Sequence, residues 1–150
     1  MRDHFLIHYI ISGSGIFQDG ENQYSLHAGD GFLVVPSRLV TYTADEIDPW
    51  EYSWVGFNGA DAQRFISFTG LSANNPVFHY DKDNLLQTQL QTIIDAVGPA
   101  PCNEARMASG LLAFLSTLME QFGDSLPKRS SGYEYVKKSI RFIDFNYSRD

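Results

Sequence analysis

The chain has few of the residues on which several kinds of protein chemistry depend. Only one of its 150 residues, Cys102, is a cysteine, which excludes an internal disulfide and any metal site built from several cysteines. A single cysteine agrees with a reducing compartment. The 11 Lys and Arg residues are outnumbered by 18 Asp and Glu, and the net charge is −7. Because binding to a phosphate backbone depends on clustered cations, we do not expect this chain alone to bind DNA or RNA.

Long apolar runs are also absent from the sequence. No stretch of about 18 apolar residues occurs, and no charged-then-apolar leader opens the chain. We therefore expect no membrane partner and a cytoplasmic location. The hydrophobic content of 43% and the aromatic content of 14% predict one globular domain with a real core.

Strand signals dominate the first sixty residues. The segment FLIHYIIS, residues 5–12, is rich in β-branched and aromatic residues and ends at a Gly-Ser-Gly bend. Shorter signals follow at roughly ten-residue spacing, separated by Gly, Asn, Asp and Pro. This pattern predicts an antiparallel barrel or sandwich with further strands near residues 16–18, 23–26, 32–35, 39–43, 50–57 and 74–80.

The segment DPWEYSWVGFNG carries large aromatics in alternation. In a strand, the period of two places Trp50, Tyr52 and Trp54 on one face and Val55 and Phe57 on the other. Such an aromatic face suits ordinary core packing as well as a binding platform. The alternation alone leaves both interpretations open.

Helical spacing replaces the strand period after residue 60. A short helix is expected within residues 60–69, and two longer ones near residues 86–97 and 104–122. The last helix has an apolar stripe wide enough for two contacts, one with the barrel and one with a partner, although a helix that only covers the sheet explains half of it. The residues predicted to contact a second copy are Met107, Leu111, Leu115, Leu118 and Phe122.

Residues 123–132, GDSLPKRSSG, have the composition of a flexible linker. Beyond the linker, apolar residues at helical spacing predict one more amphipathic helix over residues 133–150. A single helix after a linker has no obvious surface on which to pack. It is therefore interpreted as the first helix of a following domain.

The four histidines do not form a recognisable metal motif. His4 and His8 would be about 13 Å apart along a strand, at roughly 3.3 Å per residue, and His27 and His79 are far from them in sequence. No phosphate-cradling glycine loop or nucleophile elbow occurs either. No cofactor, metal or catalytic residue is predicted, and a metal-dependent enzyme such as a sugar isomerase stays as the alternative function.

What remains is a barrel with an aromatic interior, which suits a sugar. Sugars present apolar C–H faces bordered by hydroxyl groups, so they match a Trp or Tyr ring beside hydrogen-bonding groups. Alternation places His8 and Ser12 on one face of the first strand, and Tyr42 on a later strand. His8 is equally interpretable as a core histidine, and a fully packed barrel that serves only dimerisation is a third possibility.

Three segments together resemble the N-terminal half of AraC-type transcription regulators: DHFLIHYIISGSG, LHAGDGFLVVPSRLVTY and DPWEYSWVGFNG. The segment YEYVKKSIRFIDFNYSRD, residues 133–150, resembles the start of that family's DNA-binding half. The resemblance implies a mainly β fold with α-helices, in which a cupin-like jelly-roll barrel over residues 1–80 is followed by two antiparallel helices over residues 81–122. It also implies further chain before Asp3 and after Asp150.

The resemblance implies a regulator, not an enzyme, whose barrel binds a small-molecule effector, commonly a sugar. It implies a homodimer through the helices, contact with DNA only through the second half of the protein, and allosteric control of that half. Ser12 stands where a sugar-sensing relative has an arginine, which removes a multidentate donor. The predicted ligand-binding residues are His8, Ser12, Arg38, Tyr42, Tyr52 and Trp54, with Trp54 as the stacking ring.

Overall fold

The structure is a computed structural model that describes residues 2–123. The predicted linker and the predicted C-terminal helix therefore lie outside the described residues, apart from Gly123. Within the described part, no helix is long and apolar enough to cross a membrane. The elements in chain order are β1 (Phe5–Ser12), β2 (Ser14–Asp19), β3 (Asn22–His27), β4 (Asp30–Val34), β5 (Val40–Ala44), β6 (Glu51–Phe57), α1 (Ala62–Phe68), β7 (Val77–His79), α2 (Leu85–Asp95) and α3 (Pro101–Phe122).

The strands form two antiparallel sheets. One sheet has the order β6-β1-β4-β7 and the other the order β3-β2-β5. The predicted first strand has the same ends as β1, because the apolar run stops where Gly13 takes a positive φ of 72°. The prediction of a mainly β fold, a cupin-like sandwich followed by helices, is confirmed.

Two apolar cores lie on opposite faces of the four-stranded sheet. The inner core fills the space between the two sheets, where the rings of Phe17 and Phe32 stack with centroids 4.4 Å apart. The outer core lies between the four-stranded sheet and the helices. Its fully buried members include Ile7, Leu33, Leu86, Leu90, Phe114, Leu115 and Leu118.

The helices α2 and α3 are antiparallel, as predicted. The Gln89 amide Nε2 of α2 donates to the Ala113 carbonyl at 3.2 Å and to Thr117 Oγ1 at 2.9 Å. Further along α2, Ile93 packs on Gly110 of α3, where a Cβ atom would lie 2.8 Å from Ile93 Cγ1. Glycine at this position therefore allows the two helices to approach closely.

The structure corrects part of the predicted dimer contact on α3. Leu115 and Leu118 are 1% and 0% exposed and belong to the outer core of their own chain, so they are unavailable to a partner. Leu111 and Phe122 are half-buried against the same core, and Met107 is half-buried. The apolar stripe is used mainly inside its own chain, in the core that α3 shares with α2 and the sheet.

Candidate functional site

The candidate site is built on the inner faces of β1 and β6. These strands pair antiparallel, with His8 opposite Trp54, Leu6 opposite Gly56 and Ile10 opposite Tyr52. Because successive side chains alternate across a sheet, these residues face the interior of the sandwich, while their neighbours on each strand face the helices. The predicted aromatic face of the DPWEYSWVGFNG segment is thus an inner face.

His8 lies at the centre of an aromatic cluster and is only 2% exposed. Its ring stacks on Phe32 at 4.4 Å between centroids, with 5° between the planes. The rings of Tyr42, Tyr52 and Trp54 surround it at 5.1, 5.3 and 6.5 Å. The structure therefore brings together four of the residues that the sequence predicts to bind a ligand.

His8 has an unsatisfied nitrogen. Among the described residues, no group forms a hydrogen bond with its buried Nδ1 atom. Burial lowers the pKa of His8 to about 4, and the positive charge of Arg2 contributes to the decrease. The imidazole is therefore neutral near pH 7. A buried polar atom without a partner is costly, and a ligand hydroxyl group at this position would satisfy it.

Two adjoining clefts open beside Trp54, whose ring is 55% exposed. We call the first the inner cleft; it has a volume of about 270 Å³ and is lined by Arg2, His4, Leu6, His8, Tyr42 and Trp54. We call the second the outer cleft; it has a volume of about 300 Å³ and is lined by His4, Trp54, Gly56, Phe57 and Asn58. An exposed tryptophan between two clefts is the feature that ordinary core packing does not explain.

Two of the predicted ligand-binding residues lie elsewhere. Ser12 follows a register shift between Ile10 and Ser12 and is exposed, so the predicted shared face with His8 is wrong. Arg38 donates from Nε to the buried carboxylate of Asp19 at 2.5 Å. Its guanidinium group is therefore engaged in holding the loop after β4.

The arginine that lines the inner cleft is Arg2, which forms no ion pair within residues 2–123. Its backbone carbonyl accepts from the Ser37 amide at 2.9 Å, which fixes this segment at the edge of the cleft. Arg2, His4 and Leu6 are absent from the predicted site. The alternation that selects His8 includes Leu6 on β1 and continues in the sequence to His4 and Arg2, just before the strand, so the signal was present in the sequence.

The histidines outside the cleft are held by carboxylates. Near the far end of β1, Asp30 accepts from His27 Nδ1 through one oxygen and contacts His79 Nδ1 at 2.7 Å through the other. Within the described chain, no group of three or more His, Cys, Asp and Glu residues is placed to hold a metal ion.

Comparison with known proteins gives a family. The profile of the AraC-like ligand binding domain matches residues 1–130. The chain is 30% identical over 151 residues to the Msm operon regulatory protein of Streptococcus mutans serotype c, covering 98% of this chain and 54% of that protein. It is 26% identical over 152 residues to the lactose operon transcription activator of Staphylococcus xylosus, covering 96% of this chain and 53% of that protein.

A shorter match is 39% identical over 59 residues to the raffinose operon transcriptional regulatory protein RafR of Pediococcus pentosaceus, covering 39% of this chain and 21% of that protein. The chain thus spans about half the length of the two relatives that it matches along most of its own length. These relatives are named as transcription regulators, so the predicted family and the predicted non-enzymatic role are confirmed. The chain belongs to the family of AraC-like ligand-binding domains.

Proposed function

We propose that this domain binds a sugar effector in the inner cleft and thereby controls the DNA-binding half of a longer regulator. The observation that carries the proposal is the exposed ring of Trp54 beside the unpartnered Nδ1 of His8. An aromatic ring next to a neutral hydrogen-bonding group complements a sugar, whose apolar faces are bordered by hydroxyl groups. The lactose and raffinose operons named for two relatives support the same ligand class.

Four residues of the inner cleft, together with Tyr52, have roles in this proposal. Trp54 stacks on the apolar face of the sugar, His8 Nδ1 exchanges a hydrogen bond with a hydroxyl group, and Tyr42 offers a phenolic hydroxyl. Tyr52 packs against His8 and Tyr42 and fixes their rings. Arg2 supplies a multidentate donor, in place of Arg38, which the sequence predicts to contact the ligand.

A matched pair of arginine variants tests the proposal. Isothermal titration of the chain with lactose, raffinose, galactose and glucose is expected to show saturable binding of at least one sugar. Arg2→Ala should weaken that binding about tenfold, because hydrogen bonds from a charged group contribute roughly 1.5–3 kcal/mol. Arg38→Ala should lower the melting temperature, because it leaves buried Asp19 unpaired, and should leave the affinity unchanged. Absence of binding by all four sugars would contradict the proposal.

The strand β1 provides the route for allosteric control in this proposal. Its inner residue His8 lines the cleft, while its outer residue Ile7 packs in the core that contains Leu86 and Leu118 of the two long helices. In addition, the Tyr9 hydroxyl donates to the Tyr80 carbonyl at 2.9 Å, just before α2. Ligand binding should therefore slow amide hydrogen exchange in α2 and α3. Protection confined to the clefts would contradict this route.

We also propose that the domain forms a homodimer through the helices, and that DNA contact belongs to the second half of the full regulator. With Leu115 and Leu118 in the core, the half-buried Met107, Leu111 and Phe122 are the members of the stripe that remain for a partner. Met107→Glu should convert the dimer to a folded monomer by light scattering, whereas Ser109→Glu, at an exposed position of the same helix, should not. An unchanged dimer in the Met107 variant would contradict this contact.

A further inference from the structure

We infer that the natural effector contains at least two sugar rings and lies across Trp54, with one ring in the inner cleft and the next in the outer cleft. This inference rests on the proposed sugar-binding function and specifies the class of sugar. Its basis is that the linings of the two clefts share Trp54 and His4, so that the clefts adjoin. We call the two clefts together the groove.

The size of the groove supports more than one ring. Sites for small molecules usually have volumes of about 300–1,000 Å³. Each cleft, at about 270 or 300 Å³, reaches at most the lower end of this range. The joined groove lies inside the range, so a ligand that uses the whole exposed ring of Trp54 must extend into both clefts.

Gly56 lines the outer cleft and lies next to three residues of the inner cleft. Its backbone does not have the positive φ that demands glycine, so its lack of a side chain matters for space. A Cβ atom there would lie 3.0 Å from Leu6 Cδ2, 3.4 Å from His4 Cδ2 and 3.6 Å from Trp54 Cζ3. A side chain at this position would therefore occupy space beside the ring of Trp54.

The lining of the outer cleft selects an uncharged, polar ligand. It contains Asn58, whose exposed side-chain amide offers two donors and one acceptor, and among residues 2–123 it has no Lys, Arg, Asp or Glu. Within the same described residues, the one arginine of the groove is Arg2, which lines the inner cleft. An aromatic ring with an amide beside it suits the hydroxyl groups and C–H faces of a second sugar ring, whereas a phosphate group would find no cation there.

Titration calorimetry with sugars of different length tests the inference. For the 150-residue chain, lactose or raffinose should bind at least about tenfold more tightly than galactose or glucose, since the second ring adds contacts with Trp54 and Asn58. Gly56→Val should reduce this preference to about twofold or less.

A second variant tests the same inference at an exposed position, so that the test does not depend on whether Gly56→Val folds. Asn58→Ala removes an exposed amide and leaves the apolar core of the sandwich unchanged. It should weaken the binding of lactose or raffinose about threefold to tenfold and leave the affinity for galactose unchanged. Asn74→Ala, at an exposed position outside both clefts, should change neither affinity. Equal affinity for single-ring and longer sugars in the unmodified chain would overturn the inference while leaving the proposed function intact. No binding by any sugar would overturn both.

Discussion

The two faces of the β1–β6 strand pair have the same backbone and different uses. On the outer face, Ile7, Val55 and Phe57 are covered by the helices in a closed apolar core. On the inner face, His8 is just as inaccessible, but it leaves a nitrogen without a partner beside the exposed ring of Trp54. Burial alone therefore does not distinguish a core residue from a residue of the site. Unsatisfied polar atoms and exposed aromatic rings make that distinction.

The largest expected effect on stability comes from a cavity in the apolar core on the outer face. Leu118→Ala should lower the free energy of unfolding by about 2–5 kcal/mol, because it leaves a cavity in the core between the sheet and the helices. Urea denaturation followed by circular dichroism measures the loss. Val97→Ala, at a side chain that is 69% exposed, is the control and should change stability by less than about 0.5 kcal/mol. Equal effects of the two substitutions would contradict a closed apolar core between the sheet and the helices.

The next largest expected effect is a loss of stability in acid, which comes from His8 on the inner face. The folded state keeps His8 neutral down to a pKa of about 4, whereas the unfolded chain protonates this side chain near its ordinary pKa of 6.5. Stability is therefore complete above pH 6.5 and falls as the pH decreases toward 4, by up to about 3 kcal/mol from this residue. His8→Phe should remove this part of the acid sensitivity in urea denaturation between pH 4 and 7. An identical pH profile in the variant would contradict the buried neutral imidazole.

The smallest expected effect on stability comes from His79, and its dependence on pH has the opposite sign to that of His8. Hydrogen bonds with Asp30 and Asp81 raise the pKa of this half-exposed histidine. Its contribution to stability is therefore present below pH 6.5 and lost as the pH rises through the raised pKa. Because solvent screens exposed charges, the change should be much smaller than that of His8. Urea denaturation of His79→Gln from pH 6 to 9 should show a flatter profile, and a steeper profile would contradict the ion pairs.

The sequence was informative where alternation and turn residues act locally. The ends of β1 and the two faces of β6 were predictable because apolar runs, glycine turns and the period of two depend only on neighbouring residues. The exposed position of Ser12 was not predictable, since a register shift in the pairing with β6 breaks the alternation. The pairing of Arg38 with Asp19 likewise depends on the contact between two distant segments.

The helical stripe shows a second limit of sequence prediction. Its spacing correctly predicts an amphipathic helix, but spacing does not state which apolar side chains face the sheet and which face a partner. Leu115 and Leu118 proved to belong to the core that α3 shares with α2 and the sheet. The cleft residues Arg2 and His4 were detectable by alternation, although only the paired strands show that they converge with Trp54.

Fluorescence of the two tryptophans tests the central claim most directly, because Trp54 lines both clefts while Trp50 packs in the inner core. Trp50→Phe leaves Trp54 as the only tryptophan, and Trp54→Phe leaves Trp50. Excitation at the red edge of the absorption band avoids emission from the tyrosines. In titrations with lactose and raffinose, we expect saturable changes in the emission of the Trp50→Phe variant and little change in that of the Trp54→Phe variant. Equal responses from both variants, or a response from Trp50 alone, would contradict the claim that the ring of Trp54 is the sugar platform.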